Sequence, residues 1–407
     1  MATKPKTLPG KLFAALGSYW LAVTLLVNLF LLTWLGTLEQ VEKGIHWVQE
    51  EYFESYFVWA KAGAIRLVLP GGYLTLGLLT VNLLIGGLVR IRKTRRTVGV
   101  IIGHIGIALM LVGGLIEHKA STYGFVDLEI EEAKDQFLEY SGWEIVIWDA
   151  SQTAGVTEYT IPSEDFDDLQ GGNRRRFERD ELPFDLVLSY YMLNSEPVRA
   201  VNIGKPDAPV IDSLMLRELP REKEDEQDIT GVYATAVYDS GASTSETFLW
   251  GRIPLPWTVD AGGKTWAIMM RRKAHDMPFG VRLKKFTKDD HPGTQMAKSF
   301  SSDVMRIDDD GAEIPVHIRM NEPLRAGGLV VYQQGYNQSR KFPGQYTSTL
   351  AVSKNPSDRM PWVAVTIIAI GLLWTFVDRL LGFQRQQKSR RMRAMSMAEE
   401  PKKEQAA

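Results

Sequence analysis

Four stretches of the chain carry no charged side chain: residues 12–38, 67–89, 97–116 and 361–377. Each approaches the roughly 20 residues that a helix needs to cross the hydrocarbon core of a bilayer. In lipid the backbone must satisfy its own hydrogen bonds, so helix is the expected form. Pro70, Gly71 and Gly72 stand early in the second stretch and leave its start the least defined. The first apolar run is too long for a cleavable signal, and no small-residue cleavage site follows it, so it reads as an anchor.

Between the third and fourth stretches the period changes from helical to alternating. Candidate strands are 124–132, 143–149, 184–191, 231–238, 247–253, 264–273, 279–286, 328–336 and 345–353. Turn-rich pieces such as QGGN, DSGAS, DAGG and RAGG separate them. The pattern predicts an all-β, sandwich-like domain. Segments 162–182 and 218–229 are strongly charged and read as solvated loops. The fold class expected is an integral membrane α-helical bundle of four transmembrane helices, with a large extracytoplasmic all-β domain inserted between helices three and four. Its parts are 1–116 (spans at about 12–38, 67–89 and 97–116), 117–360 (the β domain) and 361–383 (the fourth span). Residues 384–407, rich in Met, Lys, Glu and Gln, are expected to form a disordered cytoplasmic tail.

Charge sets the orientation. Residues 1–17 hold Lys4, Lys6 and Lys11 and no acid. The link 90–96 reads RIRKTRR, and the tail carries Arg385, Lys388, Arg390, Arg391 and Arg393. By the positive-inside rule these segments are cytoplasmic. The acid-rich link after the first stretch and the long segment 117–360 are outside. Overall the 407 residues balance to a net charge of −2, which argues against a nucleic-acid binder working through a basic surface. There is no cysteine. That excludes disulfides, cysteine-ligated metals, thiol redox chemistry and a covalent haem site on this chain.

Among six histidines, His104 lies inside the third stretch, in VGVIIGHIGIALMLVGG. It sits about 12 Å along a helix from Arg96, in the cytoplasmic half. An ionisable group at such depth is expensive and calls for a partner or a ligand. As a ligand, its neutral imidazole suits haem iron. As a structural group, it hydrogen-bonds across a helix interface. One histidine cannot make a bis-histidine site, so a second ligand comes from another polypeptide. Gly99, Gly103, Gly106 and Gly113 line a narrow face of the same helix, away from His104, and invite close helix approach. Asn28 and Asn82 read as interhelical hydrogen bonders. His118, just past the outer end of span three, is the second candidate, placed to meet a ligand at the outer face. His46, His275, His291 and His317 show no metal-ligand spacing. No phosphate loop, nucleophile elbow or His-Glu-x-x-His motif is present, so no catalytic residue is assigned.

Several fragments in order carry a resemblance. SYWLAVTLLVNLFLLTWLGTLEQ in the first span, GHIGIALMLVGGLI in the third, then PFGVRLKKF, MNEPLRAGGLVVYQQGYNQ, YTSTLAVSKNP and the last span are similar to the ResB family, also called CcsB, of the System II cytochrome c biogenesis pathway. Residues 150–275 show no such match. The resemblance implies a bacterial cytoplasmic (inner) membrane protein with both termini cytoplasmic. It implies a ResC/CcsA-like membrane partner, haem b as the bound and transported group, and apocytochrome c as the acceptor. His104 matches the family's transmembrane histidine by position and is the implied axial ligand. The chain is then at most a part of a cytochrome c synthase (haem lyase). The alternative is a membrane-anchored assembly scaffold whose exported β domain recruits partners without holding haem. The basic run 90–96 is read first as the positive-inside signal and second as an attractor of haem propionates.

Overall fold

The structure, a computed structural model, describes residues 7–404 except 63–64, 153–154, 203–207 and 340. The chain divides into two compact units: 1–121 with 355–407, and 122–354.

The first unit contains four helices long and apolar enough to cross a membrane: Tyr19–Lys43, Gly72–Val89, Val98–Ala120 and Met360–Met395. Its helices run α1 (Leu8–Leu16), α2 (Tyr19–Lys43), α3 (Ile45–Val48), α4 (Gly72–Asn82), α5 (Val98–Ala120) and α6 (Met360–Glu404). The first apolar stretch is therefore not one helix. It breaks at Gly17 and restarts at Ser18, whose side chain accepts a hydrogen bond from the Leu21 amide at 3.2 Å. The break exposes carbonyls, and α4 supplies the donors. Asn82 Nδ2 donates to Leu16 O and Ser18 O at 2.6 and 3.0 Å. Arg90 donates to Ala14 O at 2.9 Å. Gly44, at φ 84°, ends α2 in a conformation that favours glycine.

The second apolar stretch differs from expectation at its start. Residues 67–70 are not helical but belong to a hairpin, Phe57–Ala62 against Ile65–Pro70. The β-branched and aromatic content of FVWAKA and IRLVLP suits strands, and helix begins only after Pro70 and Gly71. Asn28 Nδ2 closes this junction, donating to Pro70 O and Thr75 Oγ1, both at 2.8 Å. Beyond Asn82 the helix continues to Val89 as a wider π-helix, with Arg90 N reaching Ile85 O five residues back.

The tail also departs from expectation. Residues 384–404 continue α6 rather than forming a disordered segment. The Gln, Lys, Arg, Met and Ala of 384–395 are good helix formers, and the apolar segment before them supplies a nucleus already formed, which is the costly step of helix formation.

The glycines of α5 have a single use. Gly99, Gly106 and Gly113 are buried against α6. A Cβ at Gly106 would lie 2.6 Å from Ile368 Cγ1 and 2.9 Å from Ala364 O; one at Gly113 would lie 3.1 Å from Met360 Cβ. From the other side, a Cβ at Gly371 would lie 2.6 Å from Gly103 N. Two backbones meet here with no side chain between them, the geometry that small residues permit.

The second unit contains no α-helix among its described residues and is built on two long strands, Ala133–Asp149 and Lys264–Asp290, paired antiparallel. They anchor a ten-stranded sheet. Irregularities between Arg272 and Ala274, and between Asp276 and Val281, bend the longer strand. The candidate strands 264–273 and 279–286 are thus one bent strand. Its first part packs, with Trp143, Ile145 and Ile147, against Leu186, Leu188, Ala234 and Ala236 of a separate four-stranded sheet, forming a sandwich core. Its second part joins Val304, Ile318, Val331, Leu350 and Val352 in another core, where the sheet curls over itself. There Ser302 Oγ donates to Gln333 Oε1 at 2.6 Å and lies 2.7 Å from Ser348 Oγ, a buried polar set with its groups satisfied.

Segment 162–182, expected as solvated loop, contains an edge strand, Arg174–Phe177, paired to Phe184–Met192. Its arginines face outward and pair with Asp168 and Asp185. Charge on an edge strand hides it from a hydrophobicity pattern. Gly371→Leu is expected to force α5 and α6 apart and destabilise the first unit by about 1–3 kcal/mol. A lowered melting midpoint in detergent, followed by tryptophan fluorescence, checks this; an unchanged midpoint contradicts the packing.

Candidate functional site

His104 stands on α5 on a face other than the glycine stripe, half-buried. Its neighbour is the π-helical end of the second apolar helix. The ring Nδ1 lies 3.1 Å from the Gly87 carbonyl oxygen. A carbonyl can only accept, so Nδ1 donates in this contact, and in the neutral tautomer this leaves a lone pair on Nε2. Gly87 lies in the last turn of its helix, where carbonyls lack intrahelical partners. The ring also needs the glycine itself: a Cβ at Gly87 would lie 2.7 Å from His104 Nδ1. Gly86, next to it, faces the Gly17 break, where a Cβ would lie 2.9 Å from Gly17 O. The Gly86–Gly87 pair thus lets one helix end touch two neighbours. Among the described residues no hydrogen bond to His104 Nε2 forms. An imidazole held by a backbone carbonyl at Nδ1 with Nε2 open is the arrangement that fixes tautomer and orientation in metal-ligating histidines.

His118 is placed differently. Its Nε2 is 2.8 Å from Tyr73 Oη, and its Nδ1 is 3.5 Å from Glu54 Oε1. The Tyr73 ring meets the imidazole edge-on at 5.9 Å, and the Tyr56 ring lies 6.0 Å from that of Tyr73, tilted by 57°. His118 is thus part of a polar cluster, with Nε2 hydrogen-bonded to Tyr73 and Nδ1 near Glu54. His104 and His118 lie fourteen positions apart on one helix, about 21 Å along its axis, so they do not serve one iron.

Two of the other histidines are held by acidic partners in the second unit. His275 Nε2 pairs with Glu139 at 2.8 Å and stacks on Phe137 at 5.2 Å. His317 pairs with Asp303 at 2.7 Å. Among the described residues no group of three or more His, Cys, Asp or Glu could hold a metal ion by itself. The second unit carries a ladder of ion pairs, Arg271 with Glu144 and Glu158, and Lys273 with Glu164. Beside it Arg272 lies 4.1 Å over the Trp143 ring, and burial pulls its guanidinium down to about 10, against the opposing pull of Asp228 and Glu226. These groups brace the sandwich.

Arg90, first of the basic run, is committed to the carbonyls of Ala14 and Gly17. Sequence reasoning missed this, and it also missed Gly87. The second signal was present as a paired glycine at the end of an apolar run.

Selective 15N labelling of histidine tests the tautomer. The His104 ring is expected with Nδ1 protonated and Nε2 at the shift of an unprotonated nitrogen. Gly87→Val is expected to remove that preference, and a ring protonated at Nε2 in the unsubstituted protein would contradict the assignment.

Comparison with curated proteins returns no match. The family model described as the ResB-like family matches residues 92–345, well over half the chain. The match runs from the foot of α5 through most of the β unit, and includes 150–275, where no resemblance was legible in the sequence. The chain therefore belongs to the ResB-like family, and its role lies in cytochrome c biogenesis.

Proposed function

We propose that this chain is the haem-holding membrane subunit of a cytochrome c haem-delivery complex. The four apolar helices span the bacterial cytoplasmic (inner) membrane, with both termini inside. The β unit, whose residues stand between the third and fourth of these helices in the chain, is exported. A ResC/CcsA-like membrane protein is the partner, haem b the cargo, and apocytochrome c the acceptor. The observation that carries the reading is His104, an imidazole on an apolar helix whose Nδ1 is fixed by a backbone carbonyl and whose Nε2 has no hydrogen-bond partner among the described residues. If packing were its only task, either nitrogen would suffice. The arrangement keeps a lone pair exposed in an apolar setting, where it suits the iron of a flat apolar disc.

This chain supplies one ligand and the partner supplies the other. His118 takes no axial position in this reading: its Nε2 is hydrogen-bonded to Tyr73, and its Nδ1 faces Glu54. Propionates arriving at the inner mouth meet Arg92, Lys93 and Arg96 rather than Arg90, which is occupied. Having no cysteine, the chain takes no part in reducing the acceptor's thiols. Its contribution is to hold and orient haem, and the β unit presents a folded surface to the acceptor or the partner. It is a part of a synthase, with no catalytic residue of its own assigned.

Co-expression with the ResC/CcsA-like partner, followed by absorbance of the detergent-purified complex, tests this. A haem spectrum is expected in the unsubstituted complex. His104→Ala is expected to lower retained haem by about tenfold or more, the scale of loss when a metal's support is disturbed. His104→Gly with added imidazole is expected to recover it. A complex that assembles but holds haem equally well without His104 would leave the scaffold reading standing.

A further inference from the structure

The inner ends of α5 and α6 carry a feature that haem holding does not use. A groove of about 290 Å³ opens there. Its floor is Ile370, Leu373, Val377 and Leu381, an i, i+3, i+7, i+11 stripe on α6. This stripe is separate from the Ala364, Ile368 and Gly371 face that packs on the α5 glycines. The four side chains are exposed in the folded unit. At the mouth stand Arg95, Asp378 and Trp374. The Trp374 indole N–H donates to Arg95 O at 3.4 Å. Arg95 Nε lies 3.8 Å from Asp378 Oδ1, too far for a hydrogen bond, so the guanidinium donors stay available.

The charge around the mouth is one-sided. Segments 90–96 and 378–395 together hold eleven Lys and Arg, and Asp378 is the single acid. α6 is 45 residues long, about 68 Å. That is over twice a hydrocarbon core of roughly 30 Å, so the basic part of α6 runs on beyond the apolar part. An apolar channel ending at an open guanidinium, an indole and a field of cations has the chemistry of a lipid tail joined to an anionic headgroup. The positive-inside rule explains cations at this end. It requires neither a groove nor an apolar stripe leading to one of them.

We propose that this groove binds one acidic phospholipid, its phosphate at Arg95, its glycerol region against Trp374 and an acyl chain along Ile370, Leu373, Val377 and Leu381. The inference rests on the reading that these helices span the membrane with this end inside. It does not depend on haem at His104. The lipid covers an exposed seam beside the α5–α6 contact and fixes the level at which that helix pair sits.

The test uses the full chain in a neutral detergent, with native mass spectrometry of lipid retained after adding phosphatidylglycerol or phosphatidylcholine of identical acyl chains. Phosphatidylglycerol is expected to be retained in preference. Arg95→Gln is expected to cut its retention about fivefold, the effect of one cation near an anionic headgroup. Val377→Trp, which fills the groove without changing charge, is expected to cut it similarly, and it carries the test if Arg95→Gln fails to fold. Replacing Arg390 and Arg391 together by Gln is expected to change it less than about twofold. Equal retention of both lipids overturns the proposal. So does a loss in the Arg390/Arg391 variant as large as that in Arg95→Gln, which would mean diffuse attraction without a site. Displacement of phosphatidylglycerol by an equal amount of hemin would also overturn it and assign the groove to haem carboxylates. Membrane fractionation of cells expressing the chain reports separately on the spanning reading.

Discussion

In an apolar helical unit, the costly object is a backbone carbonyl with no donor. Three places where the first unit leaves regular α-helix are each met by a polar side chain from elsewhere in the unit. The Gly17 break in the first apolar stretch is served by Asn82 and Arg90. The carbonyl of Pro70, where hairpin becomes helix, is served by Asn28 and Thr75. The carbonyl of Gly87, at the π-helical end before Arg90, is served by His104. The polar residues embedded in apolar sequence are thus explained together, as donors matched to the places where the backbone leaves the α-helix.

That constraint orders the rest of the unit. Since α5 must reach Gly87 with His104, its opposite face is free for α6, and glycine there brings the two helices into backbone contact. The same helix therefore does two jobs on two faces without conflict. The β unit obeys a different rule: its two long strands bend at bulges so that one ladder feeds two cores. One buried polar set there, Ser302, Gln333 and Ser348, is satisfied within itself.

Much of this was legible in the sequence. Charge-free runs located the four apolar helices, and alternation located the limits of Gly231–Tyr238 and parts of about half the strands of the large sheet, but not Ala297–Ile307 or Glu313–Arg319. The glycine stripe was readable because spacing alone fixes a helix face. What was hidden has physical causes. The edge strand Arg174–Phe177 shows no apolar alternation because its three arginines face water and only Phe177 packs on the core. The helical run after residue 384 draws on a helix already nucleated before it, which local composition does not register. The hairpin at 57–70 sits in an apolar run whose period is too short to separate strand from helix. Gly87 contributes a carbonyl and the absence of a side chain, so its only trace in the sequence is the glycine pair at the end of an apolar run. The middle of the β unit, 150–275, was unmatched by eye because its charged loops dominate its composition, although it belongs to the matched family region.

The observed contact of His104 with the Gly87 carbonyl and its proposed role as an iron ligand are compatible within one arrangement. Asparagine does the donor's work at positions 28 and 82, with less bulk and no titratable group. If Gly87 O needed only a donor, a third asparagine would meet the constraint at lower cost. An imidazole adds one thing an amide cannot: when its proton is committed to the carbonyl, the opposite nitrogen is an unprotonated base directed away from that bond. In an apolar setting such a lone pair is a liability unless something arrives to use it. The chain keeps that liability on the helix where the family match begins, and keeps it oriented by a glycine whose replacement would push the ring out. The structural service at Nδ1 is thus the means by which Nε2 is presented, so the scaffold reading has to explain why the bulkier and more reactive donor was placed here.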